Sequence, residues 1–507
     1  MNLAPVLVAD WPKLAWAASF AEGGDVIVVR HGPLVETGDN WCVEAVWAGD
    51  FAQGDFDRTD LVFGSGVRVR DGEVTFVSSG TTLDRLWHCR VDGVRHVANS
   101  LAALLAVSGL SLLADYPHYT RDLSTIVGGL KAYTRSIPAD GAEIGLVYFD
   151  NLRYSGGELR RVDKPDTAPR FETFEHYERF LVDSAEALGR NLAAAQRAHR
   201  VVPLTTISSG YDSPAAAIVA RSAGCTRAVT IRKATSVWRG SDSGDDLARR
   251  LGLACTTYDR TRRVYPEEVA IWAATGRPAE LNLTFFDYPE PLCLFFTGFH
   301  GGRAWDRNRK DPASCFARGD VSGLGICEFR LVKGIFHTAV PFWGVRHAPE
   351  LQAISQSEEM ALWTLRNDYD RPIPRRILEE ASLPRGSFAV RKKNTQSEAA
   401  FIWPYSPEAR DCFAGWLRRG GYRVLPYPLV RLARWVAHVD NLVSQNITYR
   451  FGWRHKGVRN LLKPRATGLL FQWANAELKS RYERGLSADA EHVGLIRAAT
   501  GAGGDGG

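Results

Sequence analysis

The run Thr205-Thr206-Ile207-Ser208-Ser209-Gly210-Tyr211-Asp212-Ser213 decides how this chain is read. Residues 201–207 are mostly β-branched or apolar, which suits a buried strand, and residues 208–213 then supply hydroxyls, a glycine and an acid. Pro214 stands where a first-turn proline is tolerated, ahead of an Ala-rich run to about Ser222. The pattern predicts strand, loop and helix. The first N–H groups of a helix have no intrahelical partner, and small residues before them let a ligand approach the backbone, so such a turn suits an anion such as phosphate. The Gly-x-x-x-x-Gly-Lys-Ser/Thr spacing of the common phosphate loop is absent, and no lysine follows the turn. Ser, Gly and Asp are also ordinary turn and capping residues, so the hexapeptide alone is open to a purely structural reading.

The flanks extend the pattern. Residues 227–232 read as a second strand, residues 241–253 as a polar turn and short helix, and residues 255–258 as a third strand. Asp245 and Asp246 fall in the first turn of that helix, where acids gain about 0.3–1 kcal/mol from the dipole and need no ligand role. Alternating strands and helices imply an α/β fold with a parallel sheet and a ligand at the carboxyl ends of its strands.

Ser208, Gly210, Asp212 and Ser213 match the Ser-Gly-Gly-x-Asp-Ser loop of the ATP pyrophosphatases, with Ser209 in place of the first Gly. With the order of the following elements, this region resembles the asparagine synthetase-like branch of that family. The resemblance implies ATP and Mg²⁺ as cofactors. Residues 207–213, Tyr211 included, would hold the pyrophosphate, Asp212 would help bind the metal, and the backbone of Ile207 and Ile231 would flank adenine. A third block, Leu294-Phe-Phe-Thr-Gly-Phe-His-Gly-Gly-Arg-Ala-Trp-Asp306, stands where the family has Ser-Gly-Glu-Gly-x-Asp-Glu. Thr297 and Gly298 match its start, whereas Phe299, Gly302 and Arg303 stand at its acids. Asp306, one helical turn beyond Gly302, either replaces the missing metal ligand or is a surface residue, and Arg303 could take phosphate charge directly. His300 reads more readily as a turn residue than as a catalyst. Lys392 and Lys393 are placed like the lysine that supports amide formation in related enzymes; spacing alone does not choose between them, and a solvated basic cluster is the plain alternative.

Upstream, residues 1–163 are rich in short β-like runs, notably 25–30, 41–47, 72–77 and 143–149, which predict a layered antiparallel domain. Residues 85–105 and 128–141 resemble the later half of the glutaminase-type domain that precedes the synthetase domain in that family. Glutamine hydrolysis there uses a cysteine freed at position 2, and this chain has Asn2, with its first cysteine at Cys42. The domain is expected to be a retained platform. Residues 163–173, with Pro165 and Pro169, read as a linker, residues 174–198 as an amphipathic helix and residues 174–410 as the synthetase-like domain.

Residues 411–500 form a basic, aromatic extension, and residues 501–507 are disordered by composition. From 415 to 465 there are eleven Lys and Arg against one acid, Asp440. That stretch is either packed aromatics with a solvated basic face or a dock for an anionic partner or membrane surface. At 507 residues the chain exceeds one ordinary core, and a net charge of +6 admits anionic substrates without calling for nucleic acid. Eight scattered cysteines without a Cys-x-x-Cys pair, and no basic segment ahead of an apolar start, fit a cytoplasmic protein with reduced thiols. Residues 97–114 are too interrupted for a membrane span.

The expected function is an ATP-dependent ligase that adenylates a small-molecule or peptide carboxylate, releases pyrophosphate and passes the acyl group to an amine. A degenerate nucleotide-binding regulator and an assembly scaffold are the alternatives. With Asn2 at the position of the nucleophile, purified protein should release no glutamate from glutamine; sustained release would overturn that expectation.

Overall fold

In the computed structural model, which describes residues 1–232, 243–259, 265–309, 316–367, 369–389, 402–451 and 465–487, the N-terminal third is two stacked sheets. The first runs Asn2–Leu7, Val26–His31, Trp16–Ala21, Val94–Ala98, Leu86–Val91, Ala142–Val147, Ser136–Ala139, antiparallel except for its first pair. The second runs Glu158–Val162, Asn151–Ser155, Glu73–Val77, Val62–Arg70, Trp41–Trp47, Glu36–Gly38, antiparallel throughout. Side chains alternate across a strand, so Trp16, Ala18 and Phe20 from one sheet meet Val67, Val74 and Phe76 from the other. All four predicted β runs are strands. Residues 97–114 end a strand and continue as the helix Leu101–Ser108, whose cap Ser100 accepts from the Ala103 N–H at 3.2 Å.

The second architecture is a separate, all-parallel sheet in the spatial order Ala254–Tyr258, Arg227–Ile231, Val201–Thr206, Leu292–Thr297, Ile335–Ala339. The first strand in sequence is therefore central. Strand order reverses between Val201–Thr206 and Leu292–Thr297, which is where an open parallel sheet leaves a crevice at its carboxyl edge. The helix expected over 174–198 is Phe174–Leu192, capped by Thr173; beyond it Arg197 turns in to pair with Glu36 at 2.6 Å.

The sandwich and the parallel sheet share one hydrophobic core. Within four residues, Glu328 accepts from Ser100 and the Leu101 N–H, Arg330 binds Glu44 and Asp84, and the Leu331 carbonyl accepts from Leu14. The segment read as a linker is pinned: Lys164 is buried against Asn151, and Thr167 meets Asp60 at 2.5 Å. The helix Leu470–Ser487 lies against Glu268–Thr275 and Leu101–Ser108 and so touches both architectures. The helix Tyr427–Phe451 buries Val430 and Ala437 but leaves Leu429, Leu432 and Trp435 exposed. Among the described residues no helix is long and apolar enough to cross a membrane, and the seven cysteines there are free. Lys392, Lys393 and the glycine-rich tail lie outside the described residues.

Arg330 is 1% exposed, with Glu44 and Asp84 as partners. Removing it leaves two buried carboxylates without their cation, so Arg330→Met is expected to cost about 3–5 kcal/mol in urea denaturation. Little or no loss would show that the interface does not depend on the pair.

Candidate functional site

The central strand ends at Thr206, and the Ile207 N–H still donates to the Val229 carbonyl of its neighbour at 3.0 Å. The chain then turns through residues 208–211 into the helix Asp212–Ser222. The turn is closed by its own hydroxyls: Ser208 Oγ lies 2.7 Å from Ser213 Oγ and accepts from the Gly210 N–H at 3.3 Å. No side chain caps the helix start, and Pro214 lacks an N–H in a first turn that has no use for one. The helix thus presents an uncapped N-terminus.

An open cleft of about 200 Å³ lies over this turn at the carboxyl ends of the strands. The turn supplies Ile207, Ser208, Gly210, Tyr211, Asp212 and Ser213, the next strand Val229, Thr230 and Ile231, and the loop after Leu292–Thr297 Gly298 and Phe299. Asn282, Leu283, Phe286 and Tyr369 complete the walls.

Two kinds of glycine meet here. A Cβ on Gly298 would strike the Asp212 and Ser213 backbone, and one on Gly301 the Asp212 side chain, so the fold itself requires both. Gly210 is different. Its φ lies outside the left-handed region, and a Cβ there would meet only Ser208 Oγ at 3.5 Å and the Tyr369 hydroxyl at 3.9 Å. Among the described residues nothing demands glycine at 210.

Asp212 is already engaged. Arg371, itself buried, forms an ion pair with its Oδ2 and lies over the Tyr369 ring at 4.7 Å, while Asp212 Oδ1 is buried with no hydrogen-bond partner. Burial works against the Arg371 charge, but Asp212, Tyr369 and Asp306 more than offset it, so its pKa moves up. Tyr211 lines the cleft, but its hydroxyl accepts from Arg375 and its ring packs on Tyr369 and Phe388. The Ser209 carbonyl accepts from the Ala389 N–H at 2.7 Å.

The third block departs from its expected use. Thr297 is 1% exposed, and its hydroxyl lies 2.9 Å from His337 Nε2, in the core and not on the cleft. Arg303 and Asp306 are not among the cleft walls. The short helix here, Gly301–Ala304, ends before Asp306, which accepts from the Asn308 N–H and reaches the site electrostatically through Arg371. His300 is a turn residue, with positive φ, a hydrogen bond to the Ser322 carbonyl and a ring stacked on Phe342. Asp245 and Asp246 pair with Arg249 on their own helix. Among the described residues no cluster of three or more His, Cys, Asp or Glu could hold a metal. Sequence reasoning did not single out Tyr369, Arg371, Asn282 or Phe286, which lie 70 to 160 residues from the turn and carry no local motif.

No protein-family model matches the chain, and no curated protein matches it. The functional reading therefore rests on this geometry and on the residues of the turn.

Behind the cleft wall, Glu280 is 1% exposed and accepts from the Gly323 and Gly325 N–H groups at 2.6 and 3.0 Å. Burial raises its pKa from 4.5 to about 7, against the pull of those donors and of Arg318. Folding thus takes up a proton between these values. The group's stabilising contribution is complete below 4.5 and is lost as pH rises through about 7. Glu280→Gln is expected to flatten this part of the stability profile, read from urea midpoints at several pH values; an unchanged slope would exclude Glu280 as its source.

Proposed function

We propose that the cleft binds ATP and that the protein is a carbon–nitrogen ligase that forms an acyl-adenylate, releases pyrophosphate and transfers the acyl group to an amine. The observation that carries this reading is the uncapped helix N-terminus at the end of the central parallel strand, fronted by a glycine that the fold does not need. Backbone N–H groups there suit the β- and γ-phosphates, and small side chains at 208, 209 and 213 keep the approach open. Their charge complementarity is worth most for the leaving pyrophosphate, where negative charge accumulates.

Asp212 would hold a Mg²⁺ ion through its unpartnered Oδ1. The ion, when bound, would supply counter-charge to the phosphates. Arg371 holds the Asp212 carboxylate in place through Oδ2 and adds a second, fixed positive charge beside the turn. Asp306 influences this centre through Arg371 and not as a neighbouring ligand. Neither Arg303 nor Arg371 lines the cleft, but Arg371 is paired with Asp212, which does, and this makes it the better phosphate cation.

Amide formation needs a group that supports the tetrahedral step. Lys392 and Lys393 are three and four residues beyond Ala389, hence at most about 10–14 Å along an extended chain from the residue bonded to Ser209. The N-terminal sandwich fits the glutaminase-like platform of the resemblance, with Asn2 at the nucleophile's position. The amine would then come from ammonia, a partner protein or a second substrate. Carboxylate and amine are small molecules or peptides, and a cytoplasmic setting suits an ATP-consuming enzyme with free thiols.

One observation favours a second reading. Arg371 occupies one oxygen of Asp212, the only carboxylate on the cleft wall among the described residues, as in a regulator that binds nucleotide without turnover. ATP–pyrophosphate exchange across a panel of carboxylates separates the two: exchange supports the ligase, and tight ATP binding without exchange supports the regulator.

Gly210→Ala provides the site-specific check. Its backbone is compatible with alanine, so stability should hold or rise by about 0.4–1 kcal/mol. ATP binding, measured by calorimetry, should weaken roughly ten- to a hundredfold, as for one or two lost phosphate contacts. Unchanged affinity would remove the phosphates from this turn. Asp212→Asn is expected to keep the fold and abolish exchange; normal turnover would remove Asp212 from the chemistry.

A further inference from the structure

The cleft wall opposite the turn is a short 3₁₀ segment, Leu281–Phe285, which is fixed from behind. Glu280 takes two backbone N–H groups, the Thr284 hydroxyl donates to the Leu281 carbonyl at 2.7 Å, and the Tyr288 hydroxyl donates to the Leu283 carbonyl at 2.9 Å. This segment brings Asn282 and Leu283 to the cleft, with Phe286 just beyond it. All three line the same space as Ile207 and Ile231.

Asn282 stands out chemically. Its Oδ1 is buried and has no hydrogen-bond partner, in a wall otherwise built of Leu283, Phe286, Ile207 and Ile231. A buried amide oxygen without a donor is costly, and native structures rarely keep one unless a water or a ligand satisfies it. An apolar slot with one amide at its edge is the composition of a site for a planar heteroaromatic ring. Asparagine complements adenine in particular: its oxygen accepts from the exocyclic N6 amine while its own amine donates to an adjacent ring nitrogen.

We infer that Asn282 is a specificity residue that reads the adenine base, its Oδ1 accepting a hydrogen bond from the N6 amine while Ile207, Ile231, Leu283 and Phe286 enclose the ring. The inference rests on the ATP reading of the cleft and adds a side-chain contact to it. Hypoxanthine and guanine carry an oxygen at the position of the N6 amine, so each sets an acceptor against the buried acceptor.

The test is calorimetric binding of ATP, ITP and N6,N6-dimethyl-ATP to the full chain with Mg²⁺, in the parent and in Asn282→Ala. The parent is expected to prefer ATP over both analogues by roughly ten- to a hundredfold, the cost of one lost contact that leaves a buried acceptor unmet. In Asn282→Ala, ATP should weaken by a similar factor and the preference over ITP should fall to near one. ATP preferred equally in parent and variant would overturn the role of Asn282 while leaving the ATP cleft standing, as would a parent that does not discriminate ATP from dimethyl-ATP. A parent that binds none of the three would sink the cleft reading and this inference together. A parent that does not discriminate ATP from the analogues overturns the inference even if the variant does not fold.

Discussion

Arg330, buried between Glu44 and Asp84, is the interaction on which the arrangement of the molecule depends. Its carboxylate partners sit on the sandwich, whereas Arg330 lies five residues before Ile335–Ala339, the edge strand of the parallel sheet. A guanidinium in that position cannot be traded for lysine without losing the fork that meets Glu44 at 2.7 and 3.0 Å and Asp84 at 2.8 Å. Ion pairs this deep add little net stability against a well-packed apolar alternative, but they tolerate no misplacement. Together with Glu328 on Ser100, they set one edge of the parallel sheet against the sandwich. The carboxyl ends of the central strands remain open as the cleft.

Within the cleft the same economy of charge recurs around Asp212. The loop after Leu292–Thr297 presses on this residue so closely that Gly298 and Gly301 tolerate no side chain, and Arg371 holds one oxygen from the far side. One carboxylate oxygen is left over, buried and unmet. Asn282, which also lines the cleft, has a buried Oδ1 in the same unpartnered state. The altered third block is consistent with this economy: where acids are missing at 302 and 303, the space beside Gly302 is filled by the Arg371 guanidinium.

The sequence by itself determined the elements. Residues 41–47 are predicted and found as a strand because alternation on a half-buried surface is a local signal, and the strand–turn–helix at 201–222 follows from β-branched residues running into small ones and then into an Ala-rich stretch. The order of strands and helices likewise fixes an α/β unit with a parallel sheet, since parallel neighbours need crossovers. Tertiary structure alone decided what each polar side chain does. Thr297 matches a motif in sequence yet its hydroxyl is hydrogen-bonded with His337, because a strand places alternate side chains inward and no local pattern reveals what waits on the next strand. Arg371 and Asn282 were illegible for the complementary reason: their roles come from partners or vacancies 70 to 160 residues away, and hydrogen bonding and burial are set by distance in space, on which sequence separation is silent.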